Sequence, residues 1–156
     1  PMVPVKLEVT HDEPVLLDCP RLAVGHGYEE ELTATARAYS LEEICAEKIR
    51  STRQTQAKMT RRGWARPRAR DFYDLWHLVR LEAGRISWTR VSDILPEKCA
   101  ARQVAVTRID DIFAPALLDE VRASWGATLG PFVKVLPEVE AVLNETREQL
   151  EALLHF

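Results

Sequence analysis

The stretch AEKIRSTRQTQAKMTRRGWARPRARDFYDLWHL, residues 46–78, holds nine Lys or Arg between Lys48 and Arg70 and no Asp or Glu. The whole chain has 21 bases against 24 acids and a net charge of −3, so the remainder is markedly acidic. Such segregation marks either a landing place for a polyanion or a solvated surface, and Trp64 inside the run offers a stacking platform for bases. Gly63, Trp64 and Pro67 interrupt the run, because proline removes a backbone donor and glycine favours chain reversal. Two helices result, one on each side.

Ser40 with Glu43 three residues on reads as a capping box that starts the first helix. Its apolar stripe is Leu41, Ile44, Cys45 and Ile49, with Glu42, Glu43, Ala46, Glu47, Arg50 and Arg53 on the other face. Lys48 falls on the apolar stripe. A buried unpaired charge costs several kcal/mol, so this lysine must reach water or meet a carboxylate. The second helix begins at Ala69 or Arg70, runs to about Leu81 and stops at Gly84. It places Asp71, Asp74, Leu75 and Leu78 on one side. If the helices pack antiparallel, Lys48 meets Asp71 or Asp74. Two readings stay open: an ion pair that only orders packing, and a site where a compact positive charge receives a nucleotide phosphate beside orienting acids.

At 156 residues the chain suits one domain, able to bury roughly 70% of its unfolded surface. A composition of 46% hydrophobic and 29% charged residues excludes disorder over the whole length. No apolar run reaches the ~18 residues of a membrane span, and charges at Lys6, Glu8, Asp12 and Glu13 exclude a secretory leader at the start. A cytoplasmic address is expected. Cys19, Cys45 and Cys99 have neither CxxC nor zinc-ligand spacing and read as reduced thiols.

Residues 3–10, VPVKLEVT, alternate as a half-buried strand, and a turn at Asp12, Glu13 and Pro14 leads to a second short strand, Val15 to Leu17. Residues 19–31 read as loop and 32–39 as extended again. Glu8, outward on its strand, is a candidate metal carboxylate, although a solvent-facing strand glutamate is commoner. Ser87 is expected to cap a helix from Trp88 to Leu95. Pro96 is expected to start another, Pro115 to open one reaching Trp125, and Pro137 to Leu154 to form the last. The fold class is α+β, a small N-terminal sheet followed by a helical C-terminal bundle of five or six helices.

The words YSLEEICAEKIRS, residues 39–51, and RARDFYDLWHL, residues 68–78, together resemble the last two motifs of the AbiEii/AbiGii abortive-infection toxin nucleotidyltransferases. The resemblance covers roughly residues 3–85; beyond about residue 100 only helical character agrees. It implies that the sheet is the remnant of a polymerase-beta-like nucleotidyltransferase fold. Residues 1–85 would be the C-terminal part of that domain and 86–156 a helical C-terminal portion. It implies transfer of nucleotides from a nucleoside triphosphate with Mg²⁺, in characterised relatives onto the 3′ end of tRNA, under the control of a cognate antitoxin. Lys48 then matches the lysine that holds triphosphate and Asp71 the acid of the final motif, accompanied by Asp74 and Arg70. Glu8 stands where a third strand carboxylate belongs. Arg50, Arg53, Arg66, Arg68 and Arg70 would meet nucleotide or nucleic acid.

The family's first motif, a Gly-Ser or Gly-Gly turn followed by D-x-D or D-x-E, is absent from this sequence. Two-metal phosphoryl transfer depends on those carboxylates, so Mg²⁺ and a nucleoside triphosphate are expected in the intact family enzyme, and the chain alone is expected to bind neither and not to catalyse. Together with the Pro1-Met2 start, this suggests part of a longer enzyme, left by gene truncation or proteolysis. A truncated sheet exposes an edge, and edge pairing into a homodimer follows. A non-catalytic nucleic-acid or partner-binding helical module is the alternative.

Overall fold

Local signals around residue 40 set the first long element. In the computed structural model, which describes residues 12–25 and 34–156, α1 spans Leu41–Arg62. The Ser40 hydroxyl accepts the Glu43 N–H at 3.2 Å, satisfying one orphan donor of the first turn. The helix ends at Gly63, whose φ of 76° lies in the left-handed region and whose N–H bonds the Met59 carbonyl at 2.8 Å. Nothing lies within 4 Å of where a Cβ would stand on Gly63, so a substitution there meets backbone cost alone. Gly63→Ala is therefore expected to destabilise by about 1–2 kcal/mol, and Gly63→Asn by less, in paired thermal melts.

The other helices are α2 (Ala69–Leu81), α3 (Trp88–Ala100), α4 (Pro115–Leu129) and α5 (Val139–Leu153). Short 3₁₀ turns lie at Ala83–Arg85 and Ile109–Asp111. α3 packs on α1, and α4 and α5 pack on α2, around one continuous apolar core. Phe72 of α2 sits at its centre, edge-on to Phe113 at 5.5 Å. The α5 stripe expected from sequence is in place, with Val142, Leu143, Thr146 and Leu150 buried. Ahead of the helices, β1 (Arg21–Ala23) pairs antiparallel with β2 (Thr35–Arg37), Leu22 opposite Ala36. A two-stranded sheet followed by five helices is the α+β arrangement expected.

Several details differ from the sequence reading. Val15–Leu17 is not a strand: the Leu16 and Leu17 N–H groups donate to the Glu43 carboxylate, at 2.5 and 2.7 Å, instead of to a neighbouring strand. The expected loop at 19–31 contains β1, since Arg21 to Ala23 find their partners in β2. The strand expected over residues 3–10 lies outside the described residues. Pro96 does not start a new helix; α3 runs through it from Trp88 to Ala100, because buried Val91, Leu95 and Cys99 keep one face in the core on both sides of it. Ser87 contributes no side-chain cap; its N–H instead donates to Glu42 at 3.0 Å. α4 passes Gly126 and stops only at Gly130, Pro131 following, with Trp125 and Leu129 both buried.

The face assignment on α1 also changes. Glu43, Ala46 and Arg50, expected on the outer face, are buried. α1 meets α3, α2 and residues 13–17, so a single apolar stripe does not describe it. Only half of the capping box forms, because the Glu43 carboxylate turns inward to Leu16, Leu17 and Lys98.

Candidate functional site

The order of partners along α1 and α2 fixes how the site is built. Lys48 pairs with Asp74, Ser51 with Asp71 and Thr55 with Arg68, so the numbers rise on one helix as they fall on the other. The helices are antiparallel, and the convergence expected of Lys48 with the two aspartates is present. Lys48 Nζ lies 2.5 Å from Asp74 Oδ2 and 3.4 Å from Asp71 Oδ1. Asp71 Oδ2 accepts from Arg68 at 3.0 Å, and the Arg68 Nε donates to Thr55 Oγ1 at 2.6 Å. One lysine and one arginine thus face two carboxylates, with hydroxyls at their edges.

These groups are not sealed in the core. The side chains of Lys48 and Asp71 are each 19% exposed and that of Asp74 47%. A cleft of about 280 Å³ opens on Lys48 and Asp71, lined by Tyr39, Glu47, Ser51 and Arg68 among others, while Asp74 lines a separate one. A second cleft of about 470 Å³ shares Arg68 and Asp71 with the first and has Arg66, Arg70 and Phe132 in its wall. The arrangement keeps some contact with water, so it braces the fold less tightly than a fully sealed ion pair would. An anion that entered the cleft would meet the Lys48 ammonium in competition with Asp71 and Asp74.

The remaining candidate bases divide by environment. Arg50 is buried, and its guanidinium is taken by Glu47, Gln54 and, at 3.4 Å, Glu13. Arg53 donates to the Ala105 carbonyl at 2.7 Å and to Gln56. Arg66 and Arg70 are exposed on the connection and the start of α2. Arg70 lies over the Phe132 ring, 4.7 Å from its centre. Trp64, 71% exposed, stands beside them in sequence. Glu8 lies outside the described residues.

Sequence reasoning missed a second cluster of charge, between α1, α3 and residues 13–17. Lys98 and Glu43 are fully buried and 2.6 Å apart, and Lys98 also donates to the Pro14 carbonyl at 2.9 Å. Glu13 binds Arg102 at 2.7 Å and touches Glu47. Burial and that neighbouring carboxylate push Glu47 up to about 7, against the pull of Arg50. Burial opposes the charge on Glu13 too, but hydrogen bonds with Glu47 and Arg102 and the nearby Arg50 hold it below the usual carboxylate range. Cys45 and Cys99 are buried core thiols, and burial raises Cys45 to about 12, which leaves it inert.

Lys48 thus lies between Asp71 and Asp74 beside the first cleft, and comparison with known proteins gives the family of the chain. The family described as nucleotidyl transferase AbiEii toxin, type IV toxin–antitoxin system, matches residues 1–151. The chain belongs to the AbiEii family. The match extends well past the residues that carry the sequence resemblance and takes in all five helices, α5 but for its last residues. Neither a curated protein nor a solved structure matches the chain. AbiEii proteins are nucleotidyl transferase toxins of toxin–antitoxin systems, which implies an antitoxin partner. No helix among the described residues is long and apolar enough to cross a membrane.

AbiEii chemistry draws on a nucleoside triphosphate and Mg²⁺, and the residues can be tested against each. The cations at the cleft suit the phosphates. The metal fits less well: among the described residues no group of three or more His, Cys, Asp or Glu is placed to hold one. The two carboxylates at hand, Asp71 and Asp74, are already engaged by Lys48 and Arg68. No step through the metal is derived from these side chains.

Proposed function

We propose that this AbiEii chain supplies the triphosphate-holding side of a nucleotidyl transferase that acts on RNA, with Lys48 as the residue that receives the phosphates. The observation that carries this reading is the position of Lys48 Nζ between Asp71 and Asp74 at the edge of an open cleft. Asp71 orients the site through Arg68 and Ser51. Asp74 is the exchangeable partner, because it is the more exposed acid and is held by the lysine. Arg66, Arg68 and Arg70 face the acceptor; Arg50 and Arg53 act from behind, Arg50 tying α1 to Glu13 and Arg53 tying it to the segment before α4. In this reading residues 1–85 carry the seat and residues 86–156 brace it.

The rival, a purely structural ion pair, is disfavoured by a contrast within the molecule. The pair built for packing is Lys98–Glu43, with side chains 2% and 1% exposed, whereas Lys48 and Asp71 are 19% exposed and Asp74 is 47% exposed. The experiment is a titration of a fluorescent nucleoside triphosphate into wild-type, Lys48→Ala and Asp74→Asn proteins. Lys48→Ala is expected to lose at least about tenfold in affinity, the scale of one charge-assisted contact to phosphate. Asp74→Asn is expected to bind several-fold more tightly, because the lysine no longer gives up a competing carboxylate. Equal affinity in all three proteins would overturn the proposal.

A further inference from the structure

Phe132, between α4 and α5, is 71% exposed although the Arg70 guanidinium covers part of its ring from 4.7 Å. A large aromatic side chain left this open gains nothing from burial, and here it does not stand alone. Two clefts, of about 470 and 490 Å³, share Phe132 and Arg70 as a common wall. The first also reaches Asp71 and the second Asp74, the two carboxylates that hold Lys48. Through these two clefts the aromatic ring borders each of the carboxylates that hold Lys48. Arg66, Arg68, Arg70 and Lys134 surround it, while both nearby acids are already matched by cations.

We infer that Phe132 and Arg70 form a stacking platform that holds an unpaired base of a single-stranded nucleic acid beside the seat. The inference rests on the nucleic-acid part of the function proposed above and adds a residue that decides which acceptors are taken. A flat ring backed by a guanidinium matches the face of a base, and the flanking cations match the phosphates on either side of it. In a duplex the faces of the bases are occupied by their neighbours, so a platform of this kind selects an unpaired end. An acidic peptide suits the charge but not the shape, because the ring presents a surface to stack on and not a pocket to fill.

The test uses a short 3′-labelled single-stranded RNA, read by fluorescence anisotropy without triphosphate, and the same sequence as a blunt duplex. Wild type is expected to prefer the single strand. Phe132→Ala is expected to weaken single-strand binding about tenfold or more and to leave duplex binding unchanged, while Phe132→Trp restores it. Arg66→Gln is expected to lower the slope of log affinity against log salt by about 0.7, one phosphate contact on a single strand. Phe132→Ala binding the single strand as wild type does would overturn the inference. So would an acidic aromatic peptide whose affinity depends on Phe132 when that of the RNA does not. The two proposals separate cleanly: loss of RNA on Phe132→Ala with triphosphate binding indifferent to Lys48→Ala would sink the seat and leave the platform standing, and the reverse pattern would sink the platform alone.

Discussion

Lys98→Ala is expected to destabilise the protein by about 3–5 kcal/mol. The substitution leaves the Glu43 carboxylate in the core, 1% exposed and without its cation, and removes the donor to the Pro14 carbonyl. Breaking a buried pair from one side costs far more than the pair contributes, because the remaining charge has no water to return to. Urea denaturation of wild type, Lys98→Ala and the double variant Lys98→Met, Glu43→Leu tests the mechanism. The double variant is expected to recover much of the loss, since two apolar side chains leave no stranded charge. Recovery stays incomplete, because the Leu16 and Leu17 N–H groups lose the acceptor that Glu43 provides at 2.5 and 2.7 Å. A loss below about 1 kcal/mol for Lys98→Ala would show that water reaches this pair.

The second large effect is a dependence of stability on pH that one substitution should remove. Glu47 is raised from an ordinary 4.5 to about 7 by burial and by the Glu13 carboxylate. Between those values the folded state binds more protons at this group than the unfolded state does. The stability it contributes is thus complete below pH 4.5 and is lost as the pH rises through about 7. Glu13 acts in the opposite sense: its lowered value stabilises above the ordinary range and fails as the solution becomes more acid. The two carboxylates touch and titrate as a pair, with Arg50, Arg102 and Lys98 as the cations that face them. The wild type is expected to lose on the order of 2 kcal/mol between pH 5 and pH 8 from this pair. Glu47→Gln, fixed in the uncharged form, is expected to hold its urea midpoint through the same interval. Parallel curves for the two proteins would contradict the assignment.

Much of the site is legible in the sequence because it depends on local rules. Ser40, Gly63 and Pro67 set the ends of α1 and the start of α2. A lysine on an apolar stripe, followed by two acids three residues apart, points to the Lys48, Asp71 and Asp74 contact without reference to anything distant. The buried cluster obeys the same rule. Val91, Ile94, Leu95, Lys98 and Cys99 repeat the spacing of Leu41, Ile44, Cys45, Lys48 and Ile49, with a lysine at the same place in the stripe. Reading Pro96 as a boundary hides that signal. A proline removes only one hydrogen bond, and the apolar face on either side of it holds α3 together.

What the sequence conceals is non-local. Glu43 looks like half of a capping box, because nothing nearby in sequence says that Leu16, Leu17 and Lys98 will converge on it. Arg50 looks like a surface base for the same reason, since Glu13, which joins its local partners Glu47 and Gln54, lies 37 residues away. β1 is hidden by its length, three residues being too few to show alternation. Phe132 gives no periodic signal, as it sits on a connection after Gly130 and Pro131.

The central claim is that the Lys48 ammonium itself meets the triphosphate. The most direct measurement is the side-chain ¹⁵N resonance of Lys48 in lysine-labelled protein, assigned by its absence in Lys48→Ala and followed as a nucleoside triphosphate is added. The expected result is a saturable shift of that resonance, with inorganic sulfate at equal ionic strength producing little. A triphosphate that moves other lysines and leaves Lys48 in place would contradict the claim.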